Sequence, residues 1–500
     1  MHHVSLRVWS PRALARTSLM IAVLIAGSLS LVAASAPSAR TPAKLKVAQL
    51  EFPTSLVAPG ERVEVGYDTR KLPSATGFLY VRNDSQGAFT RVALRLRKAS
   101  PNLQQPGDEL RVLRGVVPSS VVRGHRLFYY AVVHDPKSGR SVRVPAGLES
   151  VHVLTGAQLV KLGTHRFGQL RAPEAVVANA SPKDVAIGVE GVNGPDSFLI
   201  AADRSVWLLD VLNKRLLVWP PGKPNARPRT ISSASLHVTS NPGDFALGPA
   251  GSLYVFRGWR PRAGSPFGWL SRVTAGGRLL WRSRTASRNF NDQLRLGPDG
   301  TLYWVGPVPD RRTYRSWGSQ WFPVATPAGR PLSAAQQLGR MLRYEPLPGG
   351  LRLLSTTTRL EKGPCGPVPH EMRYALANRA GRLLRAWRIT SQTWIQAYTP
   401  ATPAIVGGDP VVVLRVGRPA ARCASVEAEY LVLRLARSGP TRTPFALAAA
   451  SEEGKDLSGR AGYGLMITDV RIGPGAKLYQ LGSSPTVGLR IRRFSLAAGK

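Results

Sequence analysis

The sequence predicts an all-β chain in two parts, a leading module and a longer set of repeated sheets. Three observations carry the prediction. Apolar and polar residues alternate over many short runs, as in Phe89-Thr90-Arg91-Val92-Ala93-Leu94-Arg95-Leu96. Turn-forming residues separate those runs. One signature, a turn followed by an apolar strand, recurs six times after residue 200. With 500 residues and 43% apolar content the chain can bury more than one core, which excludes wholesale disorder.

The first 36 residues read as a secretory signal. Arg7, Arg12 and Arg16 precede the apolar run 19–32, and the small residues Ala33, Ala34, Ser35 and Ala36 follow. The alternative is a retained anchor, since 18–36 is just long enough to span a bilayer. No other apolar run approaches that length, so no membrane span is expected in the mature chain. An exported or envelope-associated monomer is expected.

Lys and Arg number 68 against 29 Asp and Glu, a formal charge of +39. Arg dominates at 55, with 13 Lys. An Arg-rich solvated surface accounts for this; affinity for an anionic envelope polymer or glycan is the functional alternative. Export and the lack of any nucleic-acid motif argue against nucleic acid as the partner.

Residues 43–154 read as a β-sandwich. Val63-Glu64-Val65-Gly66-Tyr67 and Gly77-Phe78-Leu79-Tyr80-Val81-Arg82 alternate, and an apolar, aromatic run at 127–133 ends in the turn 134–139. The stretch 121–145, with Tyr129-Tyr130, resembles the last two strands of immunoglobulin-like or fibronectin-type domains, without their inter-sheet cysteine pair. Either tyrosine could be a corner residue or plain core. Residues 155–183 are expected to be a linker.

From residue 184 to 500 the repeats run. Clear copies are Asp203-Arg204-Ser205-Val206-Trp207, Gly248-Pro249-Ala250-Gly251-Ser252-Leu253-Tyr254 and Gly297-Pro298-Asp299-Gly300-Thr301-Leu302-Tyr303. The turn positions Arg204, Gly251, Gly300, Gly349, Gly408 and Gly475 are spaced by 47, 49, 49, 59 and 67 residues. A strand-built period near this length predicts the blades of a β-propeller, six by this count. The first copy resembles the NHL family of repeats: a strand ends in Asp210, and Asn213-Lys214-Arg215 turns into the next strand. The resemblance implies that Asp210, Asn213 and Arg215 are structural, with Arg pairing the carboxylate. The predicted fold is thus an N-terminal immunoglobulin-like β-sandwich plus a six-bladed β-propeller.

Catalytic motifs are lacking. There is no His-x-His, His-Glu-x-x-His, Cys-x-x-Cys, Walker or dinucleotide pattern. Propeller enzymes assemble sites from scattered residues, so a calcium-dependent lactonase, hydrolase or lyase stays open as the alternative function. Its candidate ligands would be Asp184, Glu190, Asp196, Asp244, Asp292 and Asp409, residues that serve equally well in turns. No cofactor is otherwise expected.

Cys365 and Cys423 fall in equivalent loops, between the second and third strands of repeats four and five. In an exported chain that placement predicts a disulfide; free inert thiols are the alternative. The enclosed stretch of 58 residues (423 minus 365) would contribute roughly 4 kcal/mol by chain entropy. On the same rim two loops interleave Arg with aromatics. One carries Arg257, Trp259, Arg260, Arg262 and Trp269; the other carries Arg311, Arg312, Tyr314, Arg315, Trp317 and Trp321. Such side chains stack on flat or sugar-like groups and pair with anions, though they could also just pack their loops. The function expected is a non-catalytic binding or scaffold protein that uses these rim loops for a protein partner or an anionic glycan.

Overall fold

The computed structural model describes residues 45–500, apart from 46, 52–54, 70–71, 73, 85–86, 99–110, 186–196, 233, 237–242, 258–267, 286–292, 307–319, 364–365, 398–403, 420–425, 439–443, 449–467, 485–487 and 497–500. The signal-like segment therefore lies outside the described residues. Strands dominate; the α-helix among the described residues is the short Ala334–Gly339. No described helix is long and apolar enough to cross a membrane. The chain is all-β.

Two sheets build the leading module. One runs Gln49–Glu51, Val63–Asp68, Arg111–Val117, Arg95–Lys98; the other runs Leu56–Val57, Arg140–Val153, Arg126–Asp135, Thr76–Asn83, Thr90–Ala93. Alternation decides which side chains face inward. Along Arg126–Asp135, Leu127, Tyr129, Ala131 and Val133 are buried while their neighbours are half-exposed. They meet Val65, Tyr67, Leu79, Val81 and Leu113 in one core. Tyr129 is a core residue whose hydroxyl accepts from Gln49 Nε2 at 3.2 Å, and burial pushes that hydroxyl up to about 12. Tyr130 points the other way and stacks on Tyr80.

Six further sheets follow. The six turn positions singled out in the sequence all have left-handed backbone, with φ of 67°, 69°, 80°, 73°, 84° and 70° from Arg204 to Gly475. Glycine tolerates that conformation at no steric cost, which explains five of the six choices. Each turn joins the first strand of a sheet to its second. Sheet 1 comprises Ser197–Ile200, Val206–Asp210, Arg215–Trp219 and Arg229–Ser232. Sheet 2 comprises Asp244–Leu247, Leu253–Arg257, Trp269–Val273 and Leu279–Arg284. Sheet 3 has Gln293–Leu296, Leu302–Gly306 and Gln320–Ala325, flanked by the helix Ala334–Gly339.

Sheets 4 to 6 recruit distant chain. Sheet 4 contains Glu345–Leu347, Leu351–Gly363, Gly366–Ala377 and Leu383–Thr390, to which Gln158–Lys161 adds as a parallel edge. In sheet 5, Trp394–Ala397 and Ala404–Val406 both pair with Asp409–Pro419, followed by Val426–Arg434 and Phe445–Ala448. Sheet 6 contains Thr468–Gly473, Lys477–Ser484 and Gly488–Ser495, and its fourth strand is Ala175–Ala180. The stretch 155–183, expected as a linker, is thus a strap laid along the outer edges of three sheets. Backbone pairing holds it, since each strand it adds satisfies an otherwise open edge. Between its two strands Leu170 bridges Ala446 of sheet 5, and Glu429 accepts His165 Nε2 and the Gly168 amide, both at 2.7 Å.

Apolar clusters join five of the consecutive pairs of sheets. Phe198, Leu208, Leu481 and Ile491 join sheets 6 and 1; Leu216, Phe245 and Val255 join 1 and 2; Phe256, Trp304 and Phe322 join 2 and 3. Trp387, Ile389, Leu414 and Leu433 join 4 and 5, and Val413, Val432, Leu478 and Phe494 join 5 and 6. Within sheet 3, Tyr303, Val305 and Trp321 form a smaller cluster with Leu342. The leading module packs on the opposite face of sheet 4 from sheet 5. Leu56 and Leu154 are buried there against Leu354, Ala375, Ala377 and Ala386.

Candidate functional site

A basic edge follows from one ten-residue segment, 89–98. Its period-two pattern makes strands, but Leu94 breaks it: that residue is buried, and its amide donates to the Gly77 carbonyl at 2.9 Å. There the chain leaves the edge of one sheet, Thr90–Ala93, and becomes the edge of the other, Arg95–Lys98. All four residues of the second edge are exposed. The register then sets Arg95 opposite Arg114 and Lys98 opposite Arg111. Cations directly opposite each other repel. Glu64 is the carboxylate at hand; it lies 3.6 Å from Arg114 and is shared with Arg62 at 2.7 Å. Arg95, Arg97 and Arg111 make no ion pair among the described residues. Arg91, in the same segment, lies over the exposed ring of Phe78 at 4.5 Å, and Leu96 is exposed on the second edge. The segment carries both cations and exposed apolar surface.

A second polar centre lies among the first strands of the sheets. Ser197–Ile200 lies against both Asp244–Leu247 and Thr468–Gly473, and Asp244–Leu247 lies against Gln293–Leu296. Buried Asp244 ties these strands together. Its Oδ1 accepts from Ser197 Oγ and the Phe245 amide, and its Oδ2 accepts from the Leu294 amide at 2.6 Å. Arg295 Nη1 donates to Oδ2 at 3.4 Å, and Arg471 Nη2 lies 3.7 Å from Oδ1 while donating to Ser197 Oγ. Close by, burial holds the Glu345 carboxyl well above the usual carboxylate range, against the pull of Arg295. A carboxylate whose oxygens accept four hydrogen bonds and face a second guanidinium joins strands; it has no room for a calcium ion.

Asp184 and Asp409 are engaged in the same way. Asp184 accepts from Ser181 Oγ in a turn, and Asp409 accepts from Arg434 Nε and the Arg437 amide. Glu190, Asp196 and Asp292 lie outside the described residues. Among the described residues no three of His, Cys, Asp and Glu converge as metal ligands would. The residues in view do not fit a calcium cage.

In the loops singled out for binding, Trp259, Arg260, Arg262, Arg311, Arg312, Tyr314, Arg315 and Trp317 lie outside the described residues, as do Cys365 and Cys423; Arg257 ends the second strand of sheet 2. Trp269 is half-buried, with Arg284 over its ring at 5.3 Å. Trp321 is buried against Tyr303, and its backbone pairs with Leu342, so it packs within sheet 3 and is not available at a surface. At the turn in sheet 1, Asp210 Oδ2 accepts from Asn213 Nδ2 at 2.8 Å and from Arg215 Nε at 2.9 Å. The basic edge was missed in the sequence because Arg111 and Arg114 stand on another strand, and only the register brings them to Lys98 and Arg95.

No protein-family model matches the chain, and no curated protein matches it. Three solved structures are similar in outline. A PQQ-bound aldose sugar dehydrogenase from Streptomyces coelicolor is 14% identical, with a TM-score of 0.33 over 64% of this chain and 96% of that one. A DUF4784 family protein from Bacteroides caccae is 10% identical, with a TM-score of 0.21 over 90% of this chain and 95% of that one. A lignostilbene dioxygenase from Pseudomonas brassicacearum is 10% identical, with a TM-score of 0.20 over 89% and 75%. Likenesses this distant carry no argument about what this chain does.

Proposed function

We propose that the chain is an exported, envelope-associated binding protein without catalytic chemistry, and that its leading module presents a basic edge to an anionic polymer. One observation carries the reading: cations stand opposite cations along the exposed edge Arg95–Lys98, with Arg95, Arg97 and Arg111 outside any ion pair among the described residues. That self-repulsion is relieved when a partner brings negative charge. An acidic wall polymer or glycan supplies repeated charge, and its sugar faces suit Phe78 and Leu96.

The finer fold reading belongs to the same proposal. The leading module is immunoglobulin-like, and the six sheets are the blades of a propeller of NHL-like descent, closed by the strap. The loops holding Trp259, Arg260, Arg312 and Trp317 are a second contact for the polymer, and no metal is required. Cys365 and Cys423 form a disulfide between neighbouring hairpins; peptide mapping with and without reductant tests this, and two free thiols in secreted protein would refute it.

Binding of the protein to polygalacturonate, with neutral dextran as the control, tests the function. Reversing charge at Arg95→Glu and Arg97→Glu is expected to cut affinity at least tenfold at moderate salt and to flatten its salt dependence. Edge cations also prevent strand addition by a second molecule. If that is their whole role, the reversed variant binds polymer like the parent, and the proposal fails.

A further inference from the structure

The strap and sheet 5 enclose a cleft of about 370 Å3, away from the basic edge. Half-buried Leu162, Leu170 and Phe445 give its lining an apolar part. Its mouth is cationic. Arg166 is exposed there and makes no hydrogen bond or ion pair among the described residues. Arg171 lies over the Phe445 ring at 4.9 Å, a contact that leaves its N–H groups without a carboxylate. The acid nearest the cleft wall cannot neutralise them. Glu429 already accepts His165 Nε2 on one oxygen and the Gly168 amide on the other, and that pair of bonds fixes the turn 165–168 which carries Arg166.

A concave site with a partly apolar lining and two uncompensated guanidinium groups at its mouth selects a ligand with the complementary polarity. We propose that this cleft binds a small organic anion with a linear apolar tail, a medium-chain carboxylate. The head pairs with Arg166 and Arg171, and the tail covers Leu162 and Leu170. The proposal is independent of polymer binding at the leading module.

Calorimetric titration of the full chain with sodium octanoate, octyl phosphate and 1-octanol tests it. Octanoate is expected to saturate one site, with 1-octanol at least tenfold weaker. The double variant Arg166→Gln/Arg171→Gln is expected to lose at least tenfold in octanoate affinity while keeping the parent's thermal transition. Gln169→Trp, at an exposed position over the cleft, is expected to weaken octanoate and octanol alike. The proposal is overturned by no saturable octanoate binding, by equal affinity for octanol, by a preference for octyl phosphate, or by parental affinity in the double variant. If the double variant loses its transition, Gln169→Trp decides: parental octanoate affinity there overturns the site.

Discussion

Sheets 1 to 3 and sheets 4 to 6 are built from one repeat by different means. In sheets 1 to 3 every described strand comes from its own stretch of chain; polar ties are local at Asp210, Asn213 and Arg215, while the Asp244 cluster reaches across sheets to Arg471. Sheets 4 and 6 complete themselves with strands from the strap, and sheet 4 also carries the leading module. There the polar ties span the sequence. Arg373 donates to Glu371 at 2.6 Å, to Glu61 of the leading module, and to the Leu56 carbonyl at 3.1 Å. Burial alone would push Glu371 up; hydrogen bonds from Arg388 and Arg373, with their charges, outweigh it and hold the carboxyl below the usual range. Sheets 1 to 3 draw their strands from neighbouring sequence, whereas sheets 4 and 6 depend on closure of long loops, so the two sets should respond differently to damage.

The largest difference is expected at the buried ion network. Arg373→Ala strands Glu371 and Glu61 at the junction between sheet 4 and the leading module, and should cost about 3–5 kcal/mol. Denaturant unfolding measures it; a loss below about 1 kcal/mol would mean the network does not fasten the module.

Paired core truncations sharpen the comparison. Leu208→Ala in sheet 1 and Ile491→Ala in sheet 6 remove side chains that are fully buried, and each should cost about 2–5 kcal/mol. Hydrogen exchange should separate them. Ile491→Ala is expected to release the amides of Ala175–Ala180, which pair with its strand, while Leu208→Ala leaves them protected. Equal exchange at Ala175–Ala180 in the two variants would contradict separate modes of closure.

A smaller effect lies in the leading module. Burial, followed by the Arg126 charge, lowers His152 to about 4. The folded protein therefore disfavours the imidazolium, whereas the unfolded chain protonates near pH 6.5. Stability from this residue is present above pH 6.5 and is lost as pH falls from there to about 4, on the order of 2 kcal/mol in all. His152→Gln should flatten that slope; an unchanged slope would assign it to other groups.

Locality also decided what could be read in the sequence. The turns at Gly251, Gly300 and Gly475 announce themselves because positive φ demands glycine, and the strand beside each is an apolar run. The alternation of Leu127, Tyr129, Ala131 and Val133 places them in a core without knowledge of their partners. The strap could not be read this way. Gln158–Lys161 and Ala175–Ala180 are short, half-exposed edge strands, and their pattern resembles that of a polar connection. Trp321 shows the converse limit: composition suggested a surface aromatic, yet its side chain is buried against Tyr303. The basic edge needed the register, since Arg95 and Arg114 are ordinary exposed cations until pairing sets them face to face.

The most direct test of that edge as the binding face is the salt dependence of polygalacturonate binding, compared between the parent protein and Arg95→Glu/Arg97→Glu. Strong binding by the parent at low salt, falling steeply as salt rises, with both affinity and steepness reduced in the variant, is the predicted result. Identical curves for the two proteins would contradict it.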